Sequence, residues 1–498
     1  MRMYTYTEYR LVAAMALVLA GCGDDAGHVA NDDGIETRGG TSQGSPPGED
    51  DATSTGTSSA PGSTTISGDG TDDEVGIDHG LKFDLGGIPD APVVCANLQC
   101  YQVTCPNDLT TTVTGRVYDP SGTLPLYNVQ VYVPNAELEP FEDSLVCDQC
   151  DSQVSGSPVV TAVTDEEGYF VLENVPATQN VPLVMQVGKW RREVTIPNVQ
   201  PCTETVLDDP EITRLPRSRS EGELPRIALT TGGCDALFCL LRRLGIADEE
   251  FGIAGSDARI HFYQGSGGSS SFNAGFGASP GATFPNASAT LWNNGWENYD
   301  LVMMSCECSE QPTQKNGHRV KLRDYLNAGG RAFGTHYHYN WMQGDAPADL
   351  ASIATFTTSL NSFTGLVDIV TTFPKGLALA DWMLAVGGSV VHGQFHVSEG
   401  RAHVINLSQQ LARAWVTRNG TPVYFSFNAP IGADEDEQCG RMVQTDIHVS
   451  SGSASGAFPS ACGATQLSAQ EMALIFMLFD LSACIQPDDN PVLPPPPG

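Results

Sequence analysis

Positive charge is scarce in this sequence: 25 Lys and Arg stand against 59 Asp and Glu, a formal net charge of -34 over 498 residues. Such a chain repels polyanions, and no stretch supplies a basic stripe, so a nucleic-acid partner is excluded on electrostatic grounds. Long hydrophobic runs are also missing. Leu11 to Ala20 is apolar for only ten residues, against the ~18 needed to cross a bilayer. The apolar stretch from Met472 to Phe479 reads as a core-facing helix that is shorter still. No segment is therefore expected to span a membrane. Aromatic residues are absent from Gly23 to Lys82, where Gly, Ser, Thr, Asp and Pro dominate. With so little apolar surface to bury, that stretch cannot offset its ordering entropy. The length allows two or three domains, and their cores must lie further along.

What the beginning does contain is ordered. Arg2 and Arg10 flank a polar start, the apolar run follows, and Leu19-Ala20-Gly21-Cys22 closes it. This is the arrangement of a secretory signal with a small-residue cleavage site, and it resembles the bacterial lipobox. The resemblance implies a signal peptide over 1–21 and lipidation of Cys22. It also implies an exported protein anchored by that lipid to the cell envelope, at the outer membrane and facing the periplasm or the surface. Residues 22–90 then form a disordered acidic tether, and 486–498 a Pro-rich tail expected to be extended rather than packed.

Cysteine usage agrees with export. Setting Cys22 aside from the fourteen leaves an odd thirteen. Several are grouped: Cys95, Cys100 and Cys105; Cys147 and Cys150; Cys234 and Cys239; Cys306 and Cys308. In an exported chain these read as disulfides, with at least one thiol left over and a connectivity that spacing does not reveal. No thioredoxin-like pattern surrounds Cys147 and Cys150, so a structural disulfide is expected there. Cys306 and Cys308 are expected to bridge to Cys234 or Cys239.

Two architectures follow one another. Over 91–215 the sequence alternates with period two between turn signals: Thr112 to Tyr118 and Val129 to Val133 flank Asp119-Pro120-Ser121-Gly122, and Asp165-Glu166-Glu167-Gly168 repeats the device. Short strands with turns at this spacing predict a small all-β sandwich. Gly115-Arg116-Val117, Gly122, Val129, Thr164-Asp165, Gly168-Tyr169-Phe170 and Val175-Pro176 resemble the carboxypeptidase regulatory-like, transthyretin-type sandwich, whose members are accessory modules. Over 222–485 the pattern becomes strand, helix, strand. "PRIALTTGG", "ARIHFYQG" and "YDLVMMSC" read as buried strands, and "GHRVKLRDYLNAGG" as an amphipathic helix leading into "RAFGTH". That order predicts an α/β domain with a mostly parallel, flavodoxin-like sheet. The Gly/Ser/Asn-rich excursion from Gly265 to Ala289 is too long for an ordinary loop and predicts a lid or surface decoration. "VVHGQFHVSEGRAHVIN" reads as a hairpin, and its His392, His396 and His403 are given no chemistry.

"LRDYLNAGGRAFGTH" resembles the nucleophile elbow of the class I glutamine amidotransferase-like fold, and most closely its ThuA-like branch. Where the amidotransferases carry Gly-x-Cys-x-Gly, this chain has Gly334-Thr335-His336-Tyr337-His338. An imidazole cannot form the thioester intermediate, so glutaminase activity is disfavoured. Gly440-Arg441-Met442-Val443 and His448 match the closing hairpin of the ThuA-like branch, whose association is with carbohydrate metabolism. His336 and His448, with Glu307 or Cys306 on the adjacent strand end, are the candidate catalytic residues. Imidazoles with a carboxylate can hold zinc or a similar metal, or an imidazole can act as general base. No cofactor and no particular metal is specified by these residues. His338, Tyr337, Tyr339 and Trp341 are expected to wall a binding cleft for a glycan or cell-envelope ligand. Because the elbow has lost its sulfur, a binding or structural lipoprotein is the preferred reading. A carbohydrate-active hydrolase or isomerase, metal-assisted at His336 and His448, is the alternative.

Overall fold

Alternating side chains organise the first seven strands of the computed structural model, which describes residues 95–359, 362–449, 455–460, 462 and 466–498. The signal 1–21, Cys22 and the whole of the 22–90 tether lie outside the described residues, which begin at Cys95. The strands are β1 (Thr112–Arg116), β2 (Gln130–Pro134), β3 (Pro158–Val163), β4 (Tyr169–Leu172), β5 (Gln179–Val187), β6 (Trp190–Asn198) and β7 (Glu204–Leu207). They form two sheets, ordered β4-β1-β7 and β3-β2-β5-β6. In β4, Phe170 and Leu172 are buried while Tyr169 and Val171 face solvent, as period-two chemistry requires. Val113, Phe170, Val131 and Leu183, drawn from both sheets, share one core.

The turn residues act as their chemistry demands. Asp119 Oδ1 accepts from the backbone N–H of Thr123 and Leu124 at 2.9 and 3.0 Å. Asp165 Oδ1 accepts from Glu167 and Tyr169 at 3.0 and 2.8 Å. Gly168 has φ +74°, and a Cβ there would stand 2.8 Å from the carbonyl oxygen of Val117, so no other residue fits this turn without strain.

The remaining strands are β8 (Ile227–Thr230), β9 (Phe251–Gly252), β10 (Ile260–Tyr263), β11 (Leu301–Met304), β12 (Arg331–Thr335), β13 (Ala354–Phe356), β14 (Phe363–Ile369), β15 (Gln394–Gly400), β16 (Val404–Leu407), β17 (Arg413–Arg418), β18 (Thr421–Ala429) and β19 (Gly440–Thr445). Ten of them make one mixed sheet, ordered β15-β14-β17-β18-β19-β12-β11-β8-β10-β9. From β19 to β9 every neighbour pair is parallel; β18, β17, β14 and β15 extend it antiparallel. The parallel strands β8, β10, β11 and β12 are buried at every position, the composition expected where both faces are covered. Helix is the minority. Arg319–Asn327 delivers the chain through Gly329 and Gly330 to β12, and Ala469–Ser482 opens with a capping box between Ser468 and Glu471. No helix among the described residues is long and apolar enough to cross a membrane.

Three expectations need correction. The stretch from Val390 to Asn406 is not a hairpin: β15 pairs with β14, and β16 pairs with β13. The excursion from Gly265 to Ala289 is not surface decoration, because it carries its own hydrophobic anchor. Phe272 packs against Phe262 at 5.1 Å and Phe284 at 4.7 Å between ring centroids, and Phe276 packs against Phe458 at 5.1 Å. The C-terminal tail is packed. Pro495 O accepts from Thr161 Oγ1 at 2.7 Å, and Gly498 N–H donates to Pro158 O at 2.8 Å. The tail thereby covers β3, an outer strand whose edge would otherwise be open.

Six disulfides are formed: Cys95–Cys100, Cys105–Cys202, Cys147–Cys439, Cys150–Cys484, Cys234–Cys308 and Cys239–Cys462. Cys147 and Cys150 are thus structural, as their surroundings suggest, but each reaches a distant partner. These two bridges tie the insert between β2 and β3 to residues around the large sheet, and the described residues pack as one compact unit. Cys306 is the one free cysteine among the described residues.

Candidate functional site

Three neighbouring parallel strands end level with one another. Met304 of β11 pairs with Gly334 of β12, and Thr335 of β12 pairs with Thr445 of β19. Cys306 lies two residues beyond β11, His336 one beyond β12 and His448 three beyond β19. Parallel alignment therefore gathers them at the carboxyl edge of the sheet, where open α/β sheets place their chemistry. Cys306 Sγ and His336 Nδ1 are 3.1 Å apart, and one donor atom from each of Cys306, His336 and His448 lies within 4.8 Å of the others. All three residues are buried, at 0, 1 and 3% exposure.

Local backbone features hold the arrangement. His336 has φ +54°, a left-handed conformation that costs a non-glycine residue on the order of 1 kcal/mol or more. Gln444 of β19 secures it by donating from Nε2 to the His336 carbonyl at 2.8 Å. Gly334 makes room, since a Cβ there would meet Gln444 Oε1 at 2.7 Å and the His338 Cβ at 3.1 Å. Asp235 accepts from Thr335 Oγ1 at 2.6 Å and from the Val449 N–H at 3.0 Å, bracing the ends of β12 and β19 together.

The two imidazoles are driven in opposite directions. Burial, followed by the neighbouring His448 and His403, pushes His336 well below the usual histidine range. Burial also opposes charge on His448, but the proximity of Cys306 and Glu399, and the negative charge of Asp235, push it up to about 10. His448 Nδ1 lies 3.3 Å from Glu399 Oε1. The site therefore pairs a neutral ring with a protonated one beside a thiol. Groups whose environments separate their protonation states suit proton transfer in two directions.

A further histidine joins from the segment set aside on sequence grounds. His403 Nδ1 is 2.7 Å from Asp446 Oδ1, and its ring stands 5.0 Å from that of His336. Asp446 also receives the His403 backbone N–H at 2.6 Å. No sequence spacing links residues 403 and 446, so this dyad was not legible. His392 instead meets Asp381 in an exposed pair at 2.9 Å.

Other expected site residues are engaged elsewhere. Glu307 does not belong to the cluster: Lys315 Nζ binds its Oε2 at 2.9 Å and the Ser266 N–H binds its Oε1 at 2.9 Å. His338 has both ring nitrogens committed, Nε2 to Ser305 O at 2.9 Å and Nδ1 to the Trp341 indole N–H at 3.2 Å. Burial, then the charge of Lys315, lowers its pKa to about 4. Trp341 sits edge-on to Trp292 and Trp296 at 5.1 and 5.5 Å, and Tyr339 stacks on Phe356 at 4.8 Å. These rings are core, not the face of a cleft. Tyr337 alone of the expected wall is half-buried, with its ring 4.6 Å from that of His336. The anticipated bridge to Cys234 is made by Cys308, which leaves Cys306 to the histidines.

No family model and no curated protein matches the chain. Among solved structures it is similar to a cytoplasmic protein from Salmonella typhimurium, at 12% identity and a TM-score of 0.28, over 52% of this chain and 99% of the other. It is also similar to a GMP synthase subunit protein from Thermoplasma acidophilum, at 8% identity and a TM-score of 0.27, over 51% and 94% of the two chains. A cohesin–X-dockerin complex from Acetivibrio cellulolyticus is matched at 17% identity and a TM-score of 0.15, over 25% of this chain and 78% of that one. Likeness at these scores carries neither fold nor activity to this chain.

Proposed function

We propose that this is an exported lipoprotein, held to the cell envelope through Cys22, whose second domain is a hydrolase or isomerase acting on carbohydrate through Cys306, His336 and His448. In this reading residues 91–215 are an accessory sandwich of the carboxypeptidase regulatory-like type, and 222–485 a ThuA-like, flavodoxin-type domain. The observation that carries it is the meeting of an unpaired thiol with two buried imidazoles at the carboxyl edge of a parallel sheet, one driven below and one above the usual histidine range. This reverses the sequence-based preference for a binding protein, which rested on a lost thiol at the elbow. The left-handed His336 at the end of β12 supports the elbow resemblance. Six disulfides support export, since such bridges persist in oxidising compartments.

Chemically, His336 is placed to accept a proton and His448 to donate one. Positioned acid–base groups contribute about 10²–10⁴-fold each. His336→Ala and His448→Gln are expected to lower turnover of a responsive glycoside or sugar by at least about 100-fold with the far-ultraviolet circular dichroism unchanged. A screen of chromogenic glycosides and free sugars with the mature protein checks this. Binding of a glycan without turnover of any member of the panel would reject the enzyme in favour of a binding protein. That second reading is favoured by the burial of all three side chains.

A further inference from the structure

We infer that Cys306, His336 and His448 form a binding site for one zinc-class ion, with three protein ligands and an open fourth position. The inference rests on the same centre as the proposed function and takes the alternative to its acid–base chemistry: with the ion bound, Cys306, His336 and His448 all serve as ligands, and neither imidazole carries the proton transfer.

The donor set decides the class of ion. One sulfur and two imidazole nitrogens suit a borderline-soft divalent metal, whereas magnesium and calcium require oxygen. The nearby carboxylates already have partners. Asp235 is bound to Thr335 and Val449, Asp446 to His403, and Glu399 to His448. Glu399 consequently stands where a carboxylate commonly orients a metal-bound histidine, against the ring nitrogen that faces away from the ion.

Distances fit as well. Zinc bonds of about 2.3 Å to sulfur and about 2.0–2.1 Å to nitrogen put tetrahedral ligand atoms about 3.3–3.6 Å apart. Cys306 Sγ and His336 Nδ1 are 3.1 Å apart, and the three donors lie within 4.8 Å of one another. Each ligand follows a different strand of one parallel sheet, so the backbone fixes their spacing.

Two further observations point to a ligand. His448 Nε2, the ring nitrogen turned away from Glu399, is buried with no hydrogen-bond partner, a state that costs on the order of 1–3 kcal/mol and persists where a ring is kept for binding. Cys306 is also buried and is the one cysteine of the thirteen described that is not in a disulfide. Binding releases the thiol proton and any proton on the ligating histidine nitrogens to solvent, with no change of oxidation state.

Zinc and cobalt(II) titrations of the full mature protein test the inference without reference to turnover. About one equivalent of cobalt is expected, with the near-ultraviolet thiolate-to-cobalt band and the strong visible bands of a tetrahedral site. Cys306→Ser should lose the near-ultraviolet band, and His336→Ala or His448→Ala should weaken binding at least 10-fold. Zinc-edge X-ray absorption on the unaltered protein should find one sulfur and two imidazoles, which keeps the test open if a variant does not fold. Less than a tenth of an equivalent bound, or a sulfur-free ligand shell, overturns the site. Histidine-dependent turnover without metal would overturn the ion and leave the proposed function standing. Stoichiometric metal without turnover would do the reverse.

Discussion

Glu307→Ala should destabilise the protein by about 3–5 kcal/mol, the penalty for leaving a buried charge without its partner. Lys315 is completely buried, and its ammonium is held by Glu307 Oε2 at 2.9 Å and Glu310 O at 2.8 Å, with the faces of Trp292 and Trp341 5.5 and 6.0 Å away. Burial alone would raise the Glu307 pKa, yet the charge of Lys315 wins and holds it below the usual carboxylate range. Urea denaturation measures the loss. The double variant Glu307→Ala, Lys315→Met should recover most of it, because the pair then leaves together. A loss under about 1 kcal/mol, or full stability with abolished turnover, would return Glu307 to the catalytic role that its sequence position suggested.

The second large effect is expected from the bridges that join the two sheet-bearing regions. Cys147–Cys439 and Cys150–Cys484 close sequence separations of 292 and 334 residues. Single disulfides contribute about 2–4 kcal/mol, chiefly by restricting the unfolded chain. Cys147 and Cys150 are neighbours, so either bridge alone still holds the insert near the large sheet. With both pairs changed to serine, that long-range restraint disappears. A combined loss of roughly 5 kcal/mol or more is expected, against a total stability of about 5–15 kcal/mol for a typical protein. Thermal melts of the two single-bridge variants and the double variant provide the comparison. A double variant that melts within a few degrees of the parent would show that these bridges do not restrain the fold.

Local chemistry explains which parts of the molecule could be read in advance. "YDLVMMSC" is buried on both faces, and the helix before Gly329-Gly330 has one apolar side, so β11, β12 and their connection announce themselves. The partners of β15 and β16 were not visible, because two short strands close in sequence pair only if the turn and the sheet both permit it. Here each finds a different neighbour. Nor did composition reveal that Phe272, Phe276 and Phe284 would anchor a Gly/Ser-rich stretch, since three rings spread over thirteen residues have no helical or strand period. The site was half legible. His336 and His448 were visible from their strand ends, but the choice between Cys306 and Cys308 as the bridge to Cys234 depends on which sulfur the turn after β11 directs outward. Adjacent sequence positions cannot carry that information. The aromatic wall failed for a related reason: a run of rings after a strand can line a cleft or fill a core, and the helical turn following His336 drives Tyr339 and Trp341 inward.

Mapping thiols by alkylation and mass spectrometry, before and after unfolding, tests the central claim most directly. Cys306 should be protected in the folded protein and should become the only labelled position from Cys95 to Cys484 once the chain is unfolded without reductant. Finding Cys306 in a disulfide, with Cys234 or Cys308 as the free thiol, would contradict the account.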